Sequence, residues 1–280
     1  MKLMLVGLVC LLILQVGCAN NVQISEVEFN TFTNDGIAMF ARGWDAEALG
    51  VYLSVKPRGL NEDVVFLMGA LKVPGASIRS VLLRSGDGGE TWAEVMTTVT
   101  GSDIMDLFFL DKNTGWTLVM ETVEGPGNLW IYGTDDGGKT WEWLSKVPKR
   151  HYSGQPVDMG FIDEKIGRLE MLYDGASPAD GFVILATSDG GRSWSEVRSV
   201  PLEEYKASLR DEDDYKEYEN ISTSKNGSQW KLERRENNLL ALLWREDEGD
   251  EWELKSLIPY EFRFKDGIVK KPFLPVVEDK

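Results

Sequence analysis

The chain has 280 residues, and its 46 acidic side chains outnumber its 30 basic ones, giving a net charge of −16 at pH 7. This surplus of negative charge opposes binding to nucleic acid and to anionic lipid headgroups. One histidine and two cysteines exclude a zinc site with several His or Cys ligands, and no metal or cofactor is predicted.

The first 17 residues have the features of a secretory signal peptide. Lys2 supplies a positive charge, and the apolar run from Leu3 to Leu14 is too short to cross a membrane. The run leads into Val16-Gly17-Cys18, which resembles the lipobox of bacterial lipoproteins, although Gln15 stands where that family usually has leucine. The resemblance implies cleavage before Cys18 and lipid attachment to its sulfur. Residues 18–35 are then predicted to hold a lipid-anchored tether and the first strand.

This anchor predicts a place in the bacterial cell envelope. Cleavage leaves Cys18 as the one cysteine of the mature chain, so a disulfide framework is impossible and lipidation gives this residue a use. Ala19 follows it, where an aspartate would, by resemblance to the family's sorting rule, retain the protein in the inner membrane. We therefore expect an outer-membrane protein facing the periplasm if the host is Gram-negative.

Residues 36–280 contain a repeated motif. Three segments, which begin at Ser85, Thr134 and Thr187, share the template Ser/Thr-x-Asp-x-Gly-x-Thr/Ser-Trp. Their tryptophans are 49 and 53 residues apart, which is the period of a propeller blade. A fourth, weaker copy between Arg245 and Trp252 keeps only the aspartate, the glycine and the tryptophan. The motif residues are Asp87, Gly89, Thr91, Trp92, Asp136, Gly138, Thr140, Trp141, Asp189, Gly191, Ser193, Trp194, Asp247, Gly249 and Trp252.

The template is that of a stabilised hairpin turn. Its glycines supply backbone conformations with φ > 0, and its aspartate can accept hydrogen bonds from backbone N–H groups of the turn. The segments resemble the Asp-box, or BNR repeat, of sialidases, sortilin-type receptors and the photosystem II assembly factor family. That resemblance implies a structural role for the boxes, on the turn between the third and fourth strands of a blade and away from the ligand-binding face.

The residues before each box predict four-stranded antiparallel blades. For the second box, residues 105–109, 116–120 and 128–132 have the composition of strands. The same pattern precedes the other boxes at residues 51–55, 64–71, 79–83, 157–162, 167–173, 181–187, 229–232 and 239–244. Short runs at residues 37–40 and 262–264 are expected to complete one more blade from both termini. The prediction is an all-β propeller of about five blades, within a range of four to six, and an open sandwich is the alternative.

The candidate binding residues are His151 and Tyr152. They lie in a basic and aromatic segment between two blades, and such connections often line the binding face of a propeller. An exposed loop histidine is the alternative interpretation. The acidic segment from Glu203 to Glu219 offers oxygen ligands for calcium or a face for a basic partner, but it lacks the spacing of a calcium loop, so a solvated insertion is favoured.

Two functions are compatible with these features. The favoured one is a membrane-anchored, non-enzymatic scaffold that binds or assembles an unknown envelope protein, by analogy with the photosystem II assembly factor family. The alternative is a glycosidase-like enzyme or a glycan-binding, lectin-like propeller. The Arg-Ile-Pro segment of sialidases is absent, and a nucleophilic triad would have to use His151. No catalytic residue is assigned, because glycoside hydrolysis needs two facing carboxylates that the sequence does not identify.

Overall fold

The computed structural model describes residues 26–28, 50–96, 100–121, 128–148, 155–173, 181–201, 221–236, 238–265 and 268–272, and all regular elements in them are β-strands. None of these residues belongs to a helix long and apolar enough to cross a membrane. The strands are β1 (Glu26–Glu28), β2 (Gly50–Gly59), β3 (Val65–Val73), β4 (Ala76–Ser85), β5 (Thr91–Glu94), β6 (Ser102–Phe109), β7 (Gly115–Glu121), β8 (Leu129–Thr134), β9 (Glu142–Lys146), β10 (Gln155–Phe161), β11 (Gly167–Tyr173), β12 (Gly181–Thr187), β13 (Ser195–Pro201), β14 (Ile221–Thr223), β15 (Gln229–Arg235), β16 (Leu239–Arg245), β17 (Glu253–Pro259), β18 (Glu261–Lys265) and β19 (Ile268–Pro272).

Four blades follow one another along the described parts of the chain. Each consists of four consecutive strands that pair antiparallel with their neighbours: β2–β5, β6–β9, β10–β13 and β14–β17. The predicted all-β propeller architecture is confirmed, and the four blades lie within the predicted range of four to six. The strand runs expected before each box fall inside or overlap the first three strands of each blade.

The terminal strands extend the sheet of the first blade. Strand β1 pairs parallel with β5 at one edge, and β18 pairs antiparallel with β2 at the other, followed by β19. Residues 262–264, expected to help complete a further blade, therefore lie in β18 of this seven-stranded sheet. The other expected run, residues 37–40, lies outside the described residues.

Apolar side chains between neighbouring blades form the core. Val65, Leu67 and Leu83 of the first blade pack with Trp230 and Leu242 of the fourth. The second blade packs on the first through a cluster that includes Phe66, Leu107 and Phe109, and on the third through one that includes Trp116, Ile131 and Met159. Both faces of the first and second blades are buried in this way, whereas these clusters cover one face of the third and of the fourth blade.

Candidate functional site

The repeated turns join the third and fourth strands of the first three blades, and one hydrogen-bond pattern recurs in all three. In the second blade Asp136 Oδ1 accepts from the Thr140 backbone N–H at 3.0 Å, and Oδ2 accepts from Thr140 Oγ1 at 2.7 Å. Thr134 Oγ1 donates to Asp136 Oδ1 at 2.9 Å and accepts from the Gly138 N–H at 3.0 Å. The Trp141 indole N–H donates to the Gly138 carbonyl at 3.2 Å. Equivalent bonds surround Asp87 and Asp189.

These contacts lower the pKa of the turn carboxylates. At Asp136 burial acts in the opposite direction, but hydrogen bonds from Thr140 and Thr134 outweigh it and lower the pKa to about 2. At Asp189 the Ser193 hydroxyl is the largest cause, and the pKa is also about 2. The pKa of Asp87 is lowered as well, by hydrogen bonds that overcome its burial. The three carboxylates are therefore ionised at neutral pH and occupied with their own turns.

The second and third repeated turns also contact the preceding blade. The Arg84 guanidinium of the first blade donates from Nε to the Gly137 carbonyl of the second turn at 3.0 Å. Ser145 Oγ of the second blade donates to the Gly191 carbonyl of the third turn at 2.5 Å, and the Trp116 indole donates to the Gly190 carbonyl at 2.9 Å. The turns thus connect blades through hydrogen bonds in addition to shaping hairpins.

The fourth copy of the motif is held differently. The Asp247 backbone N–H donates to Asp250 Oδ2 at 3.1 Å, and the Asp250 N–H donates to the Asp247 carbonyl at 3.0 Å. Trp252 is partly exposed, with the Arg245 guanidinium 4.4 Å from its ring centroid. A Cβ added to Gly249 would have no neighbour within 4 Å, whereas one added to Gly89, Gly138 or Gly191 of the other three turns would contact side chains.

Several predicted positions lie outside the described residues. They are Cys18 with its signal segment, the candidate binding residues His151 and Tyr152, and the acidic segment from Glu203 to Glu219. The interpretations attached to them remain predictions from the sequence.

A second set of turn residues was missed by the sequence analysis. Asn61, Asp111 and Asp163 begin the turns between the first and second strands of the first three blades, and each side-chain oxygen accepts two backbone N–H groups at 2.7–2.9 Å. These bonds lower the pKa of Asp111 and of Asp163. The available signal was an aliphatic residue followed by Asn or Asp at intervals of 50 and 52 residues.

Two further carboxylates occupy equivalent places on the first strands of neighbouring blades. Asp106 and Asp158 both lie five residues before the turn aspartate, and each directly follows a register shift of its strand. Such bulges change the direction of the side chain that follows. Asp106 is mostly buried: Arg58 Nη2 of the first blade donates to its Oδ1 at 2.9 Å, and the Met159 N–H of the third donates to its Oδ2 at 3.0 Å.

Asp158 lies opposite a second carboxylate. Its partner in the register of β10 and β11 is Glu170, so both side chains project from the same face of the third blade. Arg168 joins them, with Nη2 3.4 Å from Asp158 Oδ2 and Nε 3.3 Å from Glu170 Oε1. Met159 and Leu169, on the other face, are buried against the second blade. The acid pair and its arginine therefore lie on the face that this core leaves uncovered.

This arrangement has the elements of an acid–base site. Side chains directly opposite on antiparallel strands have Cβ atoms roughly 4.5–5.5 Å apart, so Asp158 and Glu170 are near neighbours, as the two carboxyl groups of a glycosidase must be. Asp158 is 50% exposed and Glu170 18% exposed, so one carboxyl group is open to solvent and the other is largely sheltered. Arg168, 59% exposed, balances one of the two negative charges. Among the described residues, no group of three or more His, Cys, Asp or Glu side chains could hold a metal ion.

Comparison with known proteins gives structural matches alone. No protein-family model matches the sequence, and no curated protein does. YCF48 from Cyanidioschyzon merolae is 18% identical, with a TM-score of 0.34, over 75% of this chain and 56% of that one. An α-L-arabinofuranosidase from Fusarium graminearum is 16% identical, with a TM-score of 0.37, over 78% and 63%. Zg3597, a family 117 glycoside hydrolase from Zobellia galactanivorans, is 10% identical, with a TM-score of 0.31, over 77% and 72%.

These matches correct one prediction. The chain spans about three fifths of the length of YCF48 and of the arabinofuranosidase, and at such identities the similarity concerns the fold alone. The similar structures are nevertheless mostly glycoside hydrolases, which contradicts our prediction of a non-enzymatic protein. That prediction was wrong because it rested on an analogy with one family that shares the box turns, whereas turns that hold hairpins carry no information about the chemistry elsewhere on the blades.

Proposed function

We propose that this protein binds a neutral glycan and hydrolyses a glycosidic bond in it, with Asp158 and Glu170 as the pair of carboxyl groups. The observation that carries the proposal is their cross-strand pairing next to Arg168, on the face of the third blade that the core does not cover. A neutral substrate is favoured because a protein of net charge −16 repels anionic sugars.

The chemistry needs two carboxyl groups in different protonation states. One protonates the oxygen of the leaving group, while the other, as a carboxylate, attacks the anomeric carbon or activates a water molecule. Arg168 contacts both groups, so it positions them and offers N–H donors to a substrate hydroxyl.

A hydrolysis screen tests this proposal. Wild-type protein is incubated with neutral polysaccharides and with aryl glycosides, and new reducing ends and released aryl alcohol are measured. We expect at least one substrate to be cleaved, and Asp158→Asn and Glu170→Gln each to lower kcat by about a hundredfold or more. Glu253→Gln is the matched control, because Glu253 is also exposed on a strand and paired with a lysine, Lys255, at 2.9 Å.

The outcomes separate catalysis from binding. Loss of kcat with glycan affinity retained in Asp158→Asn and Glu170→Gln supports the proposal. Absence of any cleavage by the wild type, or equal rates in these variants and Glu253→Gln, contradicts it. If the wild-type protein binds a glycan but cleaves none, the result would support a glycan-binding, lectin-like protein instead of a glycosidase.

We also propose that the protein is exported and anchored through a lipid on Cys18. This rests on the charged start, the short apolar run and the cysteine at its end. The test is metabolic labelling with an alkyne fatty acid, which should label the wild type and leave Cys18→Ala unlabelled and released from membranes. Labelling of both forms, or of neither, contradicts the anchor.

Assembly of an envelope protein partner stays a prediction from the sequence. It requires one dominant partner in cross-linked envelopes, captured when Cys18 is intact and lost in Cys18→Ala. Capture of no partner in either form contradicts it, and this result is independent of the glycan screen.

A further inference from the structure

A cavity of 240 Å³ lies where the first-to-second-strand turns of three blades meet. Its walls are the ends of β2 and β6 and the turns that follow β2, β6 and β14. These turns lie at the same end of the blades as the repeated turns, because the Gly137 N–H donates to the Asn113 carbonyl of the first-to-second-strand turn at 2.9 Å. The described lining of the cavity includes neither Asp158 nor Glu170.

One part of the wall is apolar and fixed. It is formed by the partly buried side chains of Leu60 and Phe108. The Phe108 ring is half-buried and packs against Trp116 and Phe161, with centroids 6.3 and 6.1 Å apart. This ring is held in place by the contact between the second and third blades, and it offers a rigid surface to a flat ligand.

The other part of the wall is cationic. Arg58, Lys112 and Lys225 line the cavity together with one acid, Asp111. Backbone N–H groups of its own turn lower the pKa of Asp111, so it is ionised and offsets one of the three positive charges. Arg58 is fixed by bonds from Nε to the Leu107 carbonyl at 2.7 Å and from Nη2 to Asp106 at 2.9 Å. Lys225 Nζ donates to the Leu110 carbonyl and lies 5.8 Å from the Phe108 ring centroid.

Three cations against one acid around this cavity contrast with the chain as a whole, whose acidic residues outnumber its basic ones by 46 to 30. The net charge of −16 repels anions from the protein as a whole, and a cationic wall counteracts this repulsion at the opening of the cavity. The volume of 240 Å³ is below the roughly 300–1,000 Å³ of pockets for drug-sized ligands, which limits the ligand to a single ring with few substituents.

We propose that this cavity is a binding site for a small organic carboxylate with a flat apolar body. The ring of the ligand packs on Phe108 and Leu60, and its carboxylate lies between Lys112 and Lys225. The site does not depend on the proposed glycosidase activity, since it shares no residue with the Asp158–Glu170 pair.

Isothermal titration of the full chain with benzoate tests the proposal, with benzyl alcohol as the uncharged ligand of similar size. We expect benzoate to bind at one site and benzyl alcohol to bind far more weakly. The variant Lys112→Gln/Lys225→Gln should weaken benzoate binding about twofold to thirtyfold, which corresponds to the loss of two exposed ion pairs. Raising the salt concentration should weaken wild-type binding and leave the double variant nearly unchanged.

Lys165→Gln is the matched control. Lys165 is an exposed lysine in the corresponding turn of the third blade, and it does not line the cavity. Unchanged benzoate affinity in this variant supports the site. Absence of benzoate binding at millimolar concentration, equal binding of benzoate and benzyl alcohol, or equal weakening by Lys165→Gln would each overturn the proposal.

Discussion

Two adjacent aspartates of the second repeated turn differ in their hydrogen bonds, and the difference predicts which of them stabilises the turn. Asp136 accepts hydrogen bonds from Thr140 and Thr134, whereas the exposed Asp135 makes none of these bonds. We expect Asp136→Ala to lower the free energy of unfolding by about 1 kcal/mol, the typical cost of removing a capping side chain. Asp135→Ala should stay within about 0.5 kcal/mol of the wild type, as surface substitutions usually do. Urea unfolding measures both, and equal effects would show that the turn does not depend on this carboxylate.

The lowered pKa values of Asp136 and Asp189 predict how the stability of the protein changes at acidic pH. A group whose pKa falls from 3.8 to about 2 on folding stabilises the protein above the unfolded value, and this stabilisation is lost as the pH falls from about 4 to about 2. The stability gap between the wild type and Asp136→Asn/Asp189→Asn should therefore shrink over this range. Urea midpoints at a series of pH values measure the gap, with Asp135→Asn as control. A gap that stays constant down to pH 2 would contradict the assignment.

Local motifs explain which residues the sequence could identify. Asp136 was predictable because its partners Thr134 and Thr140 lie within four residues of it. The Asp158–Glu170 pair was not, since the two residues meet through strand register and a bulge precedes Asp158. A one-residue slip would place one of them on the buried face, and a single sequence does not fix the bulge that decides this.

Strands and turns were predicted well where the alternation of apolar and polar residues coincides with the spacing of the repeats. Strands β10 to β12 overlap the expected residues 157–162, 167–173 and 181–187, because each is bounded by glycine or by a turn. The terminal strands were placed in a further blade, yet β18 pairs with β2 of the first. Its short run, Phe262–Arg263–Phe264, carries no information about which sheet edge will accept it.

The contact between a turn and the neighbouring blade gives a prediction about packing. A Cβ on Gly138 would lie 2.6 Å from the Phe66 ring, and its φ is +76°; Gly75 has a φ of +85° with nothing within 4 Å. Both Ala variants suffer backbone strain of about 1 kcal/mol, but Gly138→Ala also displaces Phe66, which adds about 1–3 kcal/mol. Urea unfolding of the two variants isolates this packing cost. Equal destabilisation would mean that the turn gives way without disturbing the first blade.

The first and fourth blades are far apart in the chain, and a buried tryptophan, Trp230, lies at the contact between them. Trp230 of β15 is fully buried, and its indole donates to the Asn61 carbonyl at 3.1 Å across the contact between the two blades. It belongs to the core cluster that holds Val65 and Leu67 of the first blade against Leu242 of the fourth. Because such long-range contacts hold the ends of the repeat array together, they decide whether the blades unfold as one unit.

Trp230→Ala should therefore lower both the stability of the protein and the cooperativity of its unfolding. We expect a loss of about 3–5 kcal/mol, as for other large buried aromatics, together with a lower urea m-value, because the fourth blade can then unfold before the rest. Trp230→Phe keeps most of the packing but loses the bond to Asn61, so it should cost less and leave the m-value unchanged. Hydrogen exchange of β15 and β16 amides, compared with that of β7 and β8, identifies which blade opens. Uniform loss of protection in all four strands of Trp230→Ala would instead mean that the blades remain one cooperative unit without this contact.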